Sequence, residues 1–312
     1  MPPIPAPDGP FTLADLRAEG LSRGLVRRRS IQHPHHGVHL EGPDELSLHE
    51  RCAALARLLD DRHAFSHLTA ARLWGIPLPW LADADALHVI AEGERGRVRR
   101  PGVVGWETER DGVRIIEHAG LRVVSAADTW AQLSGLPRPW SRAFALGWLV
   151  AIGDFLLTGS PSSMTPTAPL CQRKDLEDAV ARRRGKRGVK LLALALELVR
   201  VGAQSPKESL LRVGLTEFGL PEPEIQLPIA TAQGVRHSDL GYRRGRLLLE
   251  YQGDHHRTSR RQWLDDLTRV QLFEEAGYRV VLVGDADVYP DCRALAARVA
   301  RLLGPSLARE NA

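Results

Sequence analysis

Cysteine is scarce in this 312-residue chain. There are three, Cys52, Cys171 and Cys292, far apart and without a C-x-x-C spacing. That excludes a disulfide framework and a cysteine zinc site, and it points to a reducing cytoplasm. Long apolar runs are missing too: none reaches the roughly 18 residues of a membrane span, so no membrane is expected as a partner. The opening residues MPPIPAPDGP carry neither the basic nor the apolar region of a signal peptide. Net charge is small, with 42 Lys and Arg against 38 Asp and Glu.

What remains is a globular composition, 43% hydrophobic and 26% charged, long enough for two or three domains at about 100–200 residues each. The isoelectric point is nevertheless about 9.2, and the arginines cluster. Arg27-Arg28-Arg29, Arg182-Arg183-Arg184 with Lys186-Arg187, and Arg243-Arg244 with Arg246 each suit phosphate contact. Each would equally suit a solvated helix face.

Residues 1–9 read as a disordered tail and 10–45 as a small unit. FTLADLRAEG is a short helix with Thr12 as cap and Gly20 as stop, and LSRGLVRRRS is a second helix with Ser22 as cap. IQHPHHGVHL follows as a hairpin or wing, giving a helix-turn-helix order. Its histidines, His33, His35, His36 and His39, fit a phosphate-facing wing better than a metal site, with Pro34 among them and no cysteine near. Residues 46–200 form a middle region: helices in LSLHERCAALARLL and FSHLTAARLWGIPLP, then apolar runs ALHVIA, VVGWE, VRIIE and LRVVS as a small sheet. SAADTWAQLSG is a capped helix, TGSPSSMTPTAP (158–169) a Ser/Thr/Pro loop or linker, and KRGVKLLALALELV another helix.

The last domain, 201–304, has the clearest order. SPKESLLRVGLTEFG is a helix capped by Ser205, with Pro206 in its first turn and Gly219 ending it. Strands EIQLPIA, VRHSDLGY and RLLLEYQ follow, then the helix SRRQWLDDLTRVQLFEEAG, the strand YRVVLV and the helix DCRALAARVARLL. Residues 305–312 are a tail. Alternation puts Val235, His237, Asp239 and Gly241 on one face of their strand, and Leu248, Glu250 and Gln252 on one face of the next. An antiparallel hairpin turning between Arg244 and Gly245 sets Asp239 opposite Glu250 and His237 opposite Gln252. Facing carboxylates repel unless something positive intervenes. A divalent cation such as Mg²⁺ or Mn²⁺ would do, and so would an arginine. Glu208 stands at the capping-box position relative to Ser205. Asp266 and Arg269, one helical turn apart, either pair with each other or serve phosphate and histidine.

The N-terminal residues Leu13, Leu16, Gly20, Leu21, Ser22, Leu25, Val26, Arg27, Gly37, Val38 and Leu40 resemble the winged helix-turn-helix of AbiEi-type antitoxins, with His39 where that family usually has tyrosine. Ser66-His67, Trp74-Gly75-Ile76-Pro77 and Ser125 to Trp130 resemble the middle region of the same proteins. Glu208, Asp239, the run Glu250-Tyr251-Gln252-Gly253-Asp254-His255-His256, Asp266, Arg269 and Gly277 to Val281 resemble the very-short-patch-repair (Vsr-like) endonuclease domains of the PD-(D/E)XK superfamily. That resemblance covers the last third of the chain.

The implied fold class is α/β in the α+β multi-domain sense, ending in a restriction-endonuclease-like αβββαβ core. The implied activity is metal-dependent DNA hydrolysis. Asp239 and Glu250 would hold Mg²⁺ or Mn²⁺ with the Tyr251 carbonyl, Glu208 would reach the metal or its water, and His255 or His256 would act as acid or base or bind phosphate. Gln252 stands where the superfamily often has lysine and related domains an acid. DNA would meet Arg23, Arg27, Arg28 and Arg29 of the first unit, and Arg243, Arg244 and Arg269 of the last. The rival expectation is a DNA-binding regulator without catalysis, of the antitoxin type. A toxin partner and a homodimer are left open.

Overall fold

The computed structural model of the chain describes residues 5–42, 45–79, 85–94, 96–136, 141–160, 167–252 and 260–305, with backbone alone for 260–266. It is a mixed α/β protein of two compact units, Met1–Ile76 with Trp80–Leu133, and Pro77–Pro79 with Ser134–Ala312. No helix among the described residues is long and apolar enough to cross a membrane.

The first unit begins with α1 (Leu13–Ala18), whose cap Thr12 and Asp15 form a reciprocal capping box. The next segment is not the α-helix its sequence suggests. Arg23–Arg27 is a single 3₁₀ turn capped by Ser22, and Arg28 is already extended. Gly24 inside the segment lowers its helix propensity, so i to i+3 bonds close one turn and stop. Only Arg23 and Arg27 therefore ride on the turn; Arg28 and Arg29 follow it. The hairpin β1 (Ile31–His35) and β2 (Val38–Glu41) comes next. There His33 and His39 meet through their Nδ1 atoms at 2.8 Å, one ring donating and the other accepting.

Then come α2 (Leu48–Ala56), β3 (His63–Phe65), α3 (His67–Leu73), β4 (Leu87–Glu92), β5 (Val103–Thr108), β6 (Ile115–His118), β7 (Leu121–Val124) and α4 (Ala126–Leu133). The strands form one mixed sheet in the order β5-β4-β3-β7-β6. Its core is Cys52, Leu55, Phe65, Ala70, Leu87, Val89, Leu121 and Val123. The central strand β3 has three residues, too few to show alternation in the sequence.

The second unit opens with α5 (Arg142–Thr158), α6 (Arg173–Arg182) and α7 (Val189–Leu198). From the sequence, residues up to 200 group with the middle region; in the fold these helices pack with the C-terminal elements. The physical reason is a buried ion pair. Arg212 Nη2 lies 2.8 Å from Asp154 Oδ2 of α5, both side chains 1% exposed. The Ser209 hydroxyl and the Arg200 N–H also donate to Asp154, at 2.6 Å each. Of the 158–169 stretch, Ser160 bridges Thr167 within this unit, and residues 161–166 lie outside the described residues.

The rest follows the expected element order, with one short helix added: α8 (Pro206–Glu217), β8 (Glu224–Thr231), β9 (Gly234–Tyr242), β10 (Leu247–Tyr251), α9 (Arg260–Glu275), β11 (Arg279–Val283), α10 (Asp285–Val288) and α11 (Arg293–Leu303). The sheet order is β11-β10-β9-β8, with β10 and β11 parallel and the other pairs antiparallel. On one face Leu211, Leu215, Leu249, Val281, Leu295 and Val299 form the core with α8 and α11. On the other, Leu227, Ile229 and Leu248 pack with Phe273 of α9. Each fully buried leucine contributes roughly 1.5–3 kcal/mol, so both faces of β10 are firmly held.

Candidate active site

Leu240 pairs with Leu249 and Gly241 with Leu248, so the strands carry Asp239 opposite Glu250 as the alternation predicts. Each acid is tied to the other's strand. The Asp239 N–H donates to Glu250 Oε1 at 3.1 Å, and the Tyr251 N–H donates to Asp239 Oδ2 at 2.8 Å. The other two oxygens meet one arginine. Arg269 Nε lies 3.0 Å from Glu250 Oε2, an ion pair without hydrogen-bond alignment, and Arg269 Nη2 lies 3.5 Å from Asp239 Oδ1. The same Nη2 donates to the His237 carbonyl. Arg269 is thus the partner of Asp239 and Glu250; the side chain of Asp266 lies outside the described residues.

Glu208 arrives from the first turn of α8 and is 5% exposed. Its N–H donates to the Ser205 hydroxyl at 3.2 Å, which is the expected cap. Its carboxylate has further partners: Oε2 accepts from the Gln204 N–H at 3.0 Å and from Gln226 Nε2 at 3.2 Å. The Ser205 hydroxyl also bears on this carboxylate, so the cap and the two glutamines hold it together. Among the described residues no lysine or arginine pairs with Glu208, whereas Asp239 lies close enough to repel it.

Burial, and then the charge of Asp239, push the Glu208 carboxyl up to about 7 and the Glu250 carboxyl up to about 8. Arg269 pulls Glu250 partly back, and hydrogen bonds from Gln204, Ser205 and Gln226 do the same for Glu208. Two buried acids are thus poised near neutral pH around a third, a pattern common at functional sites.

Asp239 borders a cavity of about 620 Å³ that is also lined by Gln204, Gln226, Arg236, His237 and Arg269 among others. Beside it, Lys207 Nζ pairs with Asp285 Oδ1 at 2.5 Å and lies 4.4 Å from the Tyr289 ring centre, and the Tyr251 hydroxyl donates to the same carboxylate. These contacts fix the first turn of α8 against α10.

Of the other expected site residues, Gln252 is exposed just past β10, its N–H donating to the Val283 carbonyl at 2.7 Å. His255 and His256 lie outside the described residues. Arg243 and Arg244 are exposed at the β9–β10 turn, four residues and about 13 Å along the strand from Asp239. Arg243 pairs there with Glu224 at 3.2 Å, so the turn and the acids are separate places. Arg23, Arg27 and Arg29 are exposed on the first unit, and Arg28 is half-buried.

The sequence reading missed Gln204, Gln226 and the Asp154–Arg212 pair. Nothing in EIQLPIA marks its glutamine as special, and the two ends of the ion pair stand 58 residues apart.

Among the described residues, no group of three or more His, Cys, Asp and Glu side chains is arranged to hold a metal ion. Two carboxylate oxygens on one cation is what the site provides.

No protein-family model matches the chain. Two proteins of Mycobacterium tuberculosis are similar to it: uncharacterized protein MT2308 of strain CDC 1551 / Oshkosh and uncharacterized protein Rv2248 of strain ATCC 25618 / H37Rv. Each is 31% identical over 243 residues, covering 77% of this chain and 82% of the relative.

Proposed function

The chain belongs to the family of these two mycobacterial proteins, and we propose that it is a metal-dependent DNA endonuclease. One observation carries the reading: Asp239 Oδ1 and Glu250 Oε2 converge on a cation, the Arg269 guanidinium, beside a third buried carboxylate. The donor set is hard oxygen throughout. It suits Mg²⁺ or Mn²⁺, which take one or two carboxylates and complete their shell with water and phosphate oxygens. When bound there, the ion supplies a water of lowered pKa and neutralises the scissile phosphate.

The chain's own residues do the rest. Asp239 and Glu250 hold the ion, each oriented by a backbone N–H of the neighbouring strand. Glu208 reaches the ion or its water, and with a carboxyl near neutrality it can exchange a proton there. Arg269 and the exposed Arg236 line the cavity in which a phosphate would sit. Gln252 can hydrogen-bond a water or a phosphate oxygen but brings no charge. By the resemblance to Vsr-like PD-(D/E)XK domains, His255 or His256 adds an acid, base or phosphate contact. By the resemblance to antitoxin winged helices, Arg23, Arg27, Arg28 and Arg29 dock the duplex. The α8-β8-β9-β10-α9-β11 order supports the nuclease resemblance.

The test is nicking of plasmid and of single- and double-stranded oligonucleotides with Mg²⁺ or Mn²⁺. Cleavage should vanish in Asp239→Ala and Glu250→Ala, which a contaminating nuclease would survive. No cleavage of any substrate across a range of sites would refute the reading.

A DNA-binding regulator without catalysis is the second reading. Arg269 already neutralises the acid pair, and Gln252 supplies no charge. It predicts salt-sensitive, metal-independent binding. A crystal soaked in Mg²⁺ separates the two by density between Asp239 and Glu250.

A further inference from the structure

Gln226 has a backbone conformation its strand does not call for. Its φ is +48°, the left-handed region, in the middle of β8. The ladder to β9 registers Ile225 with Leu240 and Leu227 with Ser238, and it skips the pair between them. The skipped partner of Gln226 is Asp239. A strand residue other than glycine holds this conformation only where its surroundings enforce it, and such positions gather at functional sites.

The side chain accounts for the distortion. Gln226 Nε2 donates to Glu208 Oε2 at 3.2 Å, and Gln226 Oε1 accepts from Gln204 Nε2 at 3.0 Å. The Gln204 N–H reaches the same Glu208 oxygen at 3.0 Å. Both amides bind Oε2, and Oε1 takes neither. Neutral donors suit this purpose: a lysine or arginine here would cancel the negative charge a divalent ion needs, whereas an amide fixes the carboxylate and leaves its charge intact.

We propose that Gln226, braced by Gln204, is a positioning residue: a strained amide that holds the Glu208 carboxylate beside Asp239 for the cation site. The proposal rests on the nuclease reading and adds a residue to it. Gln226 acts through Glu208 and touches no reacting atom.

The test is calorimetric titration of the full chain with Mn²⁺, without DNA, alongside thermal unfolding. Gln226→Met keeps the length and the strained backbone but removes the amide. Gln226→Gly removes the amide and also relieves the φ. Both should weaken Mn²⁺ binding about tenfold, while Gln226→Gly unfolds at a higher temperature than Gln226→Met. Added to Glu208→Gln, Gln226→Met should change Mn²⁺ affinity by less than about twofold, because its route of action is already gone.

A residue that merely supports the fold would lower the melting temperature and leave Mn²⁺ affinity where it was; that result overturns the proposal. So does an undiminished effect of Gln226→Met in the Glu208→Gln background. If the wild-type chain binds no Mn²⁺, or Asp239→Ala binds it equally well, the nuclease reading fails and takes this proposal with it.

Discussion

Replacing Glu208 by glutamine should make the metal-free protein more stable at pH 8 and no more stable at acidic pH. The carboxyl sits at about 7 in the fold against 4.5 for an ordinary glutamate, raised first by burial and then by Asp239. At roughly 1.4 kcal/mol per pH unit, that displacement corresponds to about 3 kcal/mol. The sign follows from proton binding. Between 4.5 and about 7 the folded chain holds this proton and the unfolded chain does not, so stability falls as pH rises through that window and levels off above it.

Glutamine cannot ionise. The gap between Glu208→Gln and wild type should therefore open by about 3 kcal/mol from pH 4.5 to pH 8, whatever offset the altered hydrogen bonds add. Urea unfolding in EDTA at several pH values measures it, followed on the transition of the second unit. Mg²⁺ should recover wild-type stability at pH 8 and do less for the variant. A gap that stays constant with pH would show that Asp239 and burial do not press on this carboxylate.

Asp154→Ala should destabilise the second unit by up to about 3–5 kcal/mol, because it takes the fully buried carboxylate from the Arg212 guanidinium and leaves it the half-buried Glu222; Arg212→Met in the same background should recover much of that loss in urea unfolding. Arg269→Gln should tighten Mn²⁺ binding in calorimetry, since a competing cation has gone; weaker binding would mean that the guanidinium assists the ion. Burial pushes the thiols of Cys52 and Cys171 up to about 12 and that of Cys292 up to about 11, so none should react with iodoacetamide at pH 8 until urea is added, as mass spectrometry would register.

The facing of Asp239 and Glu250 was legible because it depends on two local rules, alternation along a strand and a tight turn, here closed by the Arg246 N–H to the Arg243 carbonyl. Helix α8 was legible through Ser205 and Pro206. Helix α5 was not. Its residues are apolar almost all round, so no stripe repeats at helical spacing, and Asp154 in its last turns looks like a surface charge until Arg212 is brought against it. Gln226 was illegible for a related reason. Its conformation is set by Glu208 and Gln204, neighbours from another element, and a strand's own letters carry no record of that. At Arg23–Arg27, local letters suggested more helix than forms.

The Asp154–Arg212 contact also decides what can be cut out of this protein and still fold. A fragment beginning at residue 201, where the sequence suggests a seam, keeps every acid of the site but loses α5. Arg212 would then keep Glu222 but lack Asp154, and Leu210 would lose Gly147, against which it packs so closely that an added Cβ would stand 2.8 Å away. The unit that can be transplanted, expressed alone or exchanged by recombination starts near Ser134. Three helices that carry none of the site's acids travel with it as obligatory luggage.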